Sequence, residues 1–220
     1  MKKYLVYFTL LCFFIPVTIF AHQPNYIDGQ TQIVDSEPDI SKAYYGELPG
    51  DSAVYTIYAT SSLKLYVQIL SPKIQNANKD FNVVIKDSKQ NIISSLSTST
   101  DGWQSWYEEY GGDWYWQGPS FTAIVPAGTY DVIVSNTNNT GKYCIAIGET
   151  ESFPISNFVN TIDQLYKTKT KFFNEPWYGV FYGIIGKYLL FGSLIIILIL
   201  TSIIYFYIHI KDRNINNRTV

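Results

Sequence analysis

The residues most able to do chemistry lie between Asp101 and Pro119. Trp103, Trp106, Tyr107, Tyr110, Trp114, Tyr115 and Trp116 crowd this stretch, which holds four of the chain's five tryptophans. Asp101, Glu108, Glu109 and Asp113 are interleaved with them, and glycines stand at 102, 111, 112 and 118. Three chemistries suit such a set. Flat rings stack on sugars or anchor a partner protein. Carboxylates with loop carbonyls suit calcium, although no D-x-D-x-D-G pattern occurs. Two nearby carboxylates are the minimum for glycoside hydrolysis. The competing reading is that the rings plug one end of a core and the acids are solvated. The candidate binding residues are Trp103, Trp106, Tyr107, Glu108, Glu109, Tyr110, Asp113, Trp114 and Trp116.

Other catalytic inventories are empty. The only histidines are His22 and His209, so no Ser-His-Asp or Cys-His set can be built. There is no zinc-type Cys/His cluster, phosphate-cradling glycine loop or H-E-x-x-H. No catalytic residue and no cofactor is assigned, and the chain reads as a non-enzyme. His22 has one special possibility. Cleavage after Ala21 would make it the N-terminus, where its α-amine and ring could chelate copper. Cys12 falls in the leader and Cys144 is then alone, so no intrachain disulfide is available. Cys144 reads as a small buried apolar residue.

The elements that must position these residues are strands. Leu63, Leu65, Val67 and Ile69 alternate with Lys64, Tyr66 and Gln68, and Phe81, Val83 and Ile85 with Asn82 and Lys86. Tyr130, Val132 and Val134 alternate with Asp131 and Ser135, and Tyr143, Ile145 and Ile147 with Cys144 and Ala146. Turn residues separate them at Pro49-Gly50-Asp51, Asp87-Ser88-Lys89, Pro126-Ala127-Gly128 and Asn138-Asn139-Thr140-Gly141. This spacing predicts an all-β ectodomain over residues 22–153, a jelly-roll-like antiparallel β-sandwich. Beyond Pro154, Phe158, Ile162, Leu165, Lys169 and Phe172 recur at helical steps, and Pro176 would end them. Residues 154–176 are therefore expected as a stalk helix, with Lys167, Lys169 and Lys171 on a solvated or headgroup-facing surface.

The ends set the topology. Lys2 and Lys3, an apolar run over 4–20 and Ala21 form a signal-peptide pattern, giving a leader over residues 1–21. Tyr188 to Ile208 is 21 residues without a charge. At ~1.5 Å per residue it covers the ~30 Å hydrocarbon layer. Trp177, Tyr178, Phe181 and Tyr182 precede this span and Tyr205 and Tyr207 close it, as interfacial aromatic belts do. Residues 177–210 are thus expected as the juxtamembrane and transmembrane segment, and 211–220 as a cytosolic tail. Lys211, Arg213 and Arg218 place that end inside. Gly179 and Gly183 form a G-x-x-x-G at the edge of the span and read as chance. Between His22 and Lys187, 17 acids face 11 lysines, a net of −6. Such a domain is a poor partner for nucleic acid.

Two stretches carry a resemblance. Ala43-Tyr44-Tyr45-Gly46-Glu47-Leu48-Pro49-Gly50 with Val54-Tyr55-Thr56-Ile57, and Pro126-Ala127-Gly128-Thr129-Tyr130-Asp131-Val132 with Gly141 to Gly148, resemble the opening and close of the pre-peptidase C-terminal type of bacterial β-sandwich. More broadly, residues 21–153 resemble a family of uncharacterised bacterial proteins with a signal peptide, a sandwich and one C-terminal span. The marks are Ala21-His22-Gln23-Pro24, the run from Gly111 to Pro119, and Gly148-Glu149-Thr150-Glu151-Ser152-Phe153. The resemblance implies a jelly-roll-like fold and supplies no activity. The expectation is a single-pass cell-membrane protein with its ectodomain extracytoplasmic and its C-terminus cytosolic. It acts as a binding or accessory module for a protein or carbohydrate. The alternatives are a metal-linked protein, with copper at His22 or calcium at the loop acids, and a carboxylate-based hydrolase.

Overall fold

The computed structural model describes residues 22–97, 102–152 and 154–216. The expected leader over 1–21, Asp101, Phe153 and Arg218 lie outside the described residues.

Among the described residues, eleven strands form two packed sheets. The six-stranded sheet runs β1 (Gln23–Tyr26), β3 (Lys42–Pro49), β11 (Thr140–Ile147), β5 (Leu63–Pro72), β9 (Asp113–Val125) and β8 (Gln104–Glu108). The five-stranded sheet runs β2 (Gln32–Asp35), β4 (Ala53–Ala59), β10 (Gly128–Ser135), β6 (Asn82–Asp87) and β7 (Ile92–Ser97). The expected sandwich is present, with one correction to its strand sense. Most pairs are antiparallel, but β1 lies parallel to β3 and β2 parallel to β4, so both sheets are mixed.

The alternating residues meet between the sheets. Leu65, Val67, Ile69, Phe81, Val83, Ile85, Val132, Val134, Ile145 and Ile147 are all fully buried there. Tyr55 and Tyr143 also lie inside, and their hydroxyls hydrogen-bond each other at 2.9 Å, so neither polar group is stranded.

A second core occupies the outer face of the larger sheet. Ala43, Tyr45, Leu70, Tyr115, Cys144 and Ala146 pack there against Phe172 and Phe173. β11 is consequently buried on both faces, as its continuous run Tyr143-Cys144-Ile145-Ala146-Ile147 requires. The covering element is α1 (Phe158–Lys167), which continues as a π-helical turn over Thr168–Phe172. The expected stalk segment therefore lies against the sandwich. Three polar ties fix it. The Tyr26 N–H donates to Gln164 Oε1 at 2.7 Å. Lys142 Nζ donates to the Lys171 and Phe172 carbonyls at 2.6 and 3.0 Å. Lys169 provides the third, from inside.

After a short 3₁₀ turn over Trp177–Phe181, α2 spans Ile184–Asn216. Its segment Ile184–Lys211 is long and apolar enough to cross a membrane, and no part of its most apolar stretch is covered by protein.

The second core generates a prediction about fragments. A piece ending at Phe153 would uncover Tyr45, Tyr115 and Ala146, while one ending at Asn174 would keep their cover. With ~1.5–3 kcal/mol for each large side chain buried, the loss of Leu165, Phe172 and Phe173 amounts to about 5 kcal/mol or more. The 22–153 fragment is expected to melt well below the 22–174 fragment or to associate in solution. Equal melting temperatures in circular dichroism would show that the cover contributes little.

Candidate functional site: the β8–β9 hairpin

The stretch read as a loop is an antiparallel hairpin. Trp106 faces Tyr115 across the two strands, Tyr107 faces Trp114, and Glu108 faces Asp113. Four residues, Glu109 to Gly112, make the turn. Aromatic residues on both faces of Trp114-Tyr115-Trp116 remove the polar alternation that would have announced a strand.

The two faces have different fates. On the sheet's outer face, Tyr115 is buried and packs edge-on against Phe173 at 5.2 Å, with Trp106 at 5.8 Å from Tyr115. Tyr110 is buried against Leu165. On the opposite face, Tyr107 and Trp114 lie 5.1 Å apart and are 37% and 51% exposed. Lys73 Nζ sits 4.9 Å from both the Trp114 and Trp116 ring centres, and Lys79 Nζ 4.4 Å from Trp116. Trp103 is half-buried, and its indole N–H donates to the Lys79 carbonyl at 2.9 Å. Beside it lies a groove of about 310 Å³ whose lining includes the amides of Gln68, Gln104 and Gln117.

The acids do not behave as solvated loop residues. Glu108 and Asp113 are buried, which corrects that expectation. Both Glu108 oxygens are used locally, accepting from the Tyr110 N–H at 2.8 Å and the Gly111 N–H at 2.7 Å. The side chain thus folds the turn. Asp113 meets Lys169 at 2.6 Å, with the lysine side chain 0% exposed. Lys169 Nζ also donates to the Gly112 carbonyl at 3.3 Å and lies 3.5 Å from Glu175. Lys169 was expected on a solvated face with Lys167 and Lys171. The π-helical turn closes with the Phe173 N–H on the Thr168 carbonyl. It brings Thr168, Lys169, Phe172 and Phe173 together to the sheet. Glu109 remains exposed.

Burial governs the titration of this cluster. It raises the Asp113 carboxyl to about 7, although Lys169 pulls the other way. It also raises Glu108, against the two N–H groups that favour the anion. Three carboxyls surround one ammonium, so a retained proton relieves mutual repulsion.

His22 joins this region from the other side. Its Nδ1 is hydrogen-bonded to the Ser41 hydroxyl, and burial lowers the ring to about 4. His22, Tyr45, Glu108, Asp113 and Thr168 border one cavity of about 20 Å³, room for a single water-sized molecule. The acids therefore converge with each other and with His22, but on an interior too small for a substrate. Among the described residues, no group of three His, Cys, Asp or Glu side chains could hold a metal ion. Cys144 is buried, and burial pushes its thiol well above the usual range.

The hairpin turn also touches the start of α2, a contact that sequence reasoning missed. The Ile184 N–H donates to the Glu109 carbonyl at 3.0 Å, satisfying one of the free donors of the helix N-terminus. Gly112 has φ +77°, and a Cβ there would lie 2.5 Å from the Gly183 nitrogen. A Cβ on Gly183 would strike the Tyr110 carbonyl in turn. Gly112 and Gly183 are thus contact glycines where two backbones meet, while a Cβ on Gly111 would crowd the carboxylates of Asp113 and Glu108.

No protein-family model matches the chain, and no curated protein matches it. Solved structures are similar to it at low identity. The pre-peptidase C-terminal domain of a collagenase from Bacillus anthracis is 13% identical, with 58% of this chain and 95% of that one covered and a TM-score of 0.33. A periplasmic inhibitor of g-type lysozyme from Aeromonas hydrophila is 14% identical, with 56% and 96% covered and a TM-score of 0.36. The catalytic domain of a GH87 α-1,3-glucanase in complex with nigerose is 15% identical, with 50% of this chain and 22% of that one covered and a TM-score of 0.26.

The buried acids generate a pH prediction. An unfolded aspartate titrates near 4, whereas folded Asp113 holds its proton to about 7. Between those values the folded chain binds more protons than the unfolded one, so this group's contribution to stability is lost as pH rises through the window. The His22 ring, lowered to about 4, works in the opposite direction up to the ordinary histidine value near 6.5, so thermal melts of the full chain in non-ionic detergent are expected to fall from pH 6.5 to pH 7.5. Asp113→Asn is expected to flatten that fall. An unchanged slope in the variant would assign the pH dependence elsewhere.

Proposed function

We propose that this chain is a single-pass membrane protein whose sandwich stands outside the cytoplasm as a non-catalytic binding module. Its recognition surface is the exposed Tyr107–Trp114 face of the β8–β9 hairpin. The observation that carries the reading is the exposed Tyr107–Trp114 pair flanked by Lys73. Two large rings left half in water on a paired strand are a standing invitation to a partner. The buried hairpin residues support the reading by holding that face rigid. Glu108 and Asp113 have no free oxygen pair facing a substrate-sized space, which disfavours the hydrolase alternative. The groove beside Trp103, whose described lining includes three amides, is the part of the module suited to a polar ligand such as a sugar.

Membrane orientation follows from the leader pattern and the basic tail. Protease added to spheroplasts is expected to remove the sandwich and spare a tag placed after Val220. Loss of the tag with the sandwich intact would reverse the orientation.

Thermal melts of single variants test the recognition surface without knowledge of the ligand. Trp114→Ala is expected to leave the melting temperature nearly unchanged. Trp106→Ala, which removes a ring packed on Tyr115, is expected to cost ~3 kcal/mol or more. Early unfolding of Trp114→Ala would make that ring core and end the binding-surface reading.

A further inference from the structure

The exposed half of the hairpin is fixed beside the start of α2. Gly112 and Gly183 are in backbone contact, and the Glu109 carbonyl caps Ile184. Trp114 follows Gly112 by two residues, a Cα displacement of about 7 Å along an extended strand. The candidate membrane-crossing segment Ile184–Lys211 begins one residue after Gly183, and its charge-free part, Tyr188 to Ile208, begins within the next two helical turns. On each side of a bilayer's hydrocarbon core the headgroup layer is about 5–8 Å deep. Trp114 therefore lies within about one such depth of Gly112, the residue that touches the start of α2, whichever way the strand runs. The rings that precede the span are also exposed: Trp177 is 61%, Tyr178 48% and Tyr182 50% in contact with solvent.

Ring chemistry fits that layer. Trp and Tyr offer an apolar body with a polar tip, which is why they collect where hydrocarbon gives way to headgroups. Lys73 lies over Trp114, where an ammonium can reach lipid phosphate. Glu109 is exposed at the same turn, so the rings, and not a net positive charge, carry the contact. We infer that the partner met by the Tyr107–Trp114 face is the lipid headgroup layer of the membrane that α2 spans, which makes the hairpin a second arc of the aromatic belt begun by Trp177, Tyr178 and Tyr182. This inference rests on the reading of the hairpin as a recognition surface and names its partner.

The test uses the full chain in phosphatidylcholine nanodiscs, with its five tryptophans replaced by fluorotryptophan. Single Trp→Phe variants assign the fluorine resonances. Phosphatidylcholine carrying a spin label near the ester end of its acyl chain is compared with a water-soluble gadolinium chelate. The Trp114 and Trp177 signals are expected to broaden several-fold more than Trp103 with the lipid label, without any anionic lipid present. If Trp114 broadens with the chelate and no more than Trp103 with the lipid label, the ring faces water and meets a soluble macromolecule. The lipid inference then falls while the recognition surface stands. If neither reagent reaches Trp114, the ring is core and both readings fall.

Discussion

The ion pair between Lys169 and Asp113 is the contact on which the outer half of this protein depends. It joins the last turn of the covering helix to the hairpin, and Lys169 reaches the Gly112 carbonyl from the same position. Above about pH 7, where Asp113 is ionised, removing the lysine would leave its carboxylate buried without a cation, a kind of change that typically costs ~3–5 kcal/mol. The cover, the hairpin turn and the start of α2 all converge within a few residues of this pair. None of them could shift without moving charge that the interior cannot tolerate unpaired.

The inner core was legible because its signal is simple. Period-two alternation from Leu63 to Ile69, and again from Tyr130 to Val134, can serve only a face buried between sheets. The outer core was also written in the chain, though less plainly. Cys144 and Ala146 are apolar on the face that should have been wet, and that is the mark of a strand covered on both sides. The cover itself was obscured by Lys167, Lys169 and Lys171. Three lysines at every second position look solvated, and nothing in their spacing tells that a π-helical turn will carry the middle one inward.

The hairpin was hidden for a related reason. Rings at 106, 107, 114, 115 and 116 are apolar on both faces, so the pattern shows no period. Which ring faces which way is set by the cross-strand register and by the irregularity between Gln68 and Leu70, where β9 changes phase against β5. Register of this kind depends on distant strands and has no local sequence signature. The acids were misleading in the same way. Glu108 precedes two glycines, which suggests an open loop, yet its two oxygens are the acceptors that close the turn.

The glycine contact between Gly112 and Gly183 has a mechanical consequence. A domain on a flexible tether samples a hemisphere around its anchor. Here the sandwich is seated on the helix itself, by backbone contact and a shared hydrogen bond. Rotation or tilt of α2 would be passed directly to the sheets, with no slack to absorb it. The assembly resembles a mast stepped on its keel, and the far loops would sweep an arc whenever the helix leans.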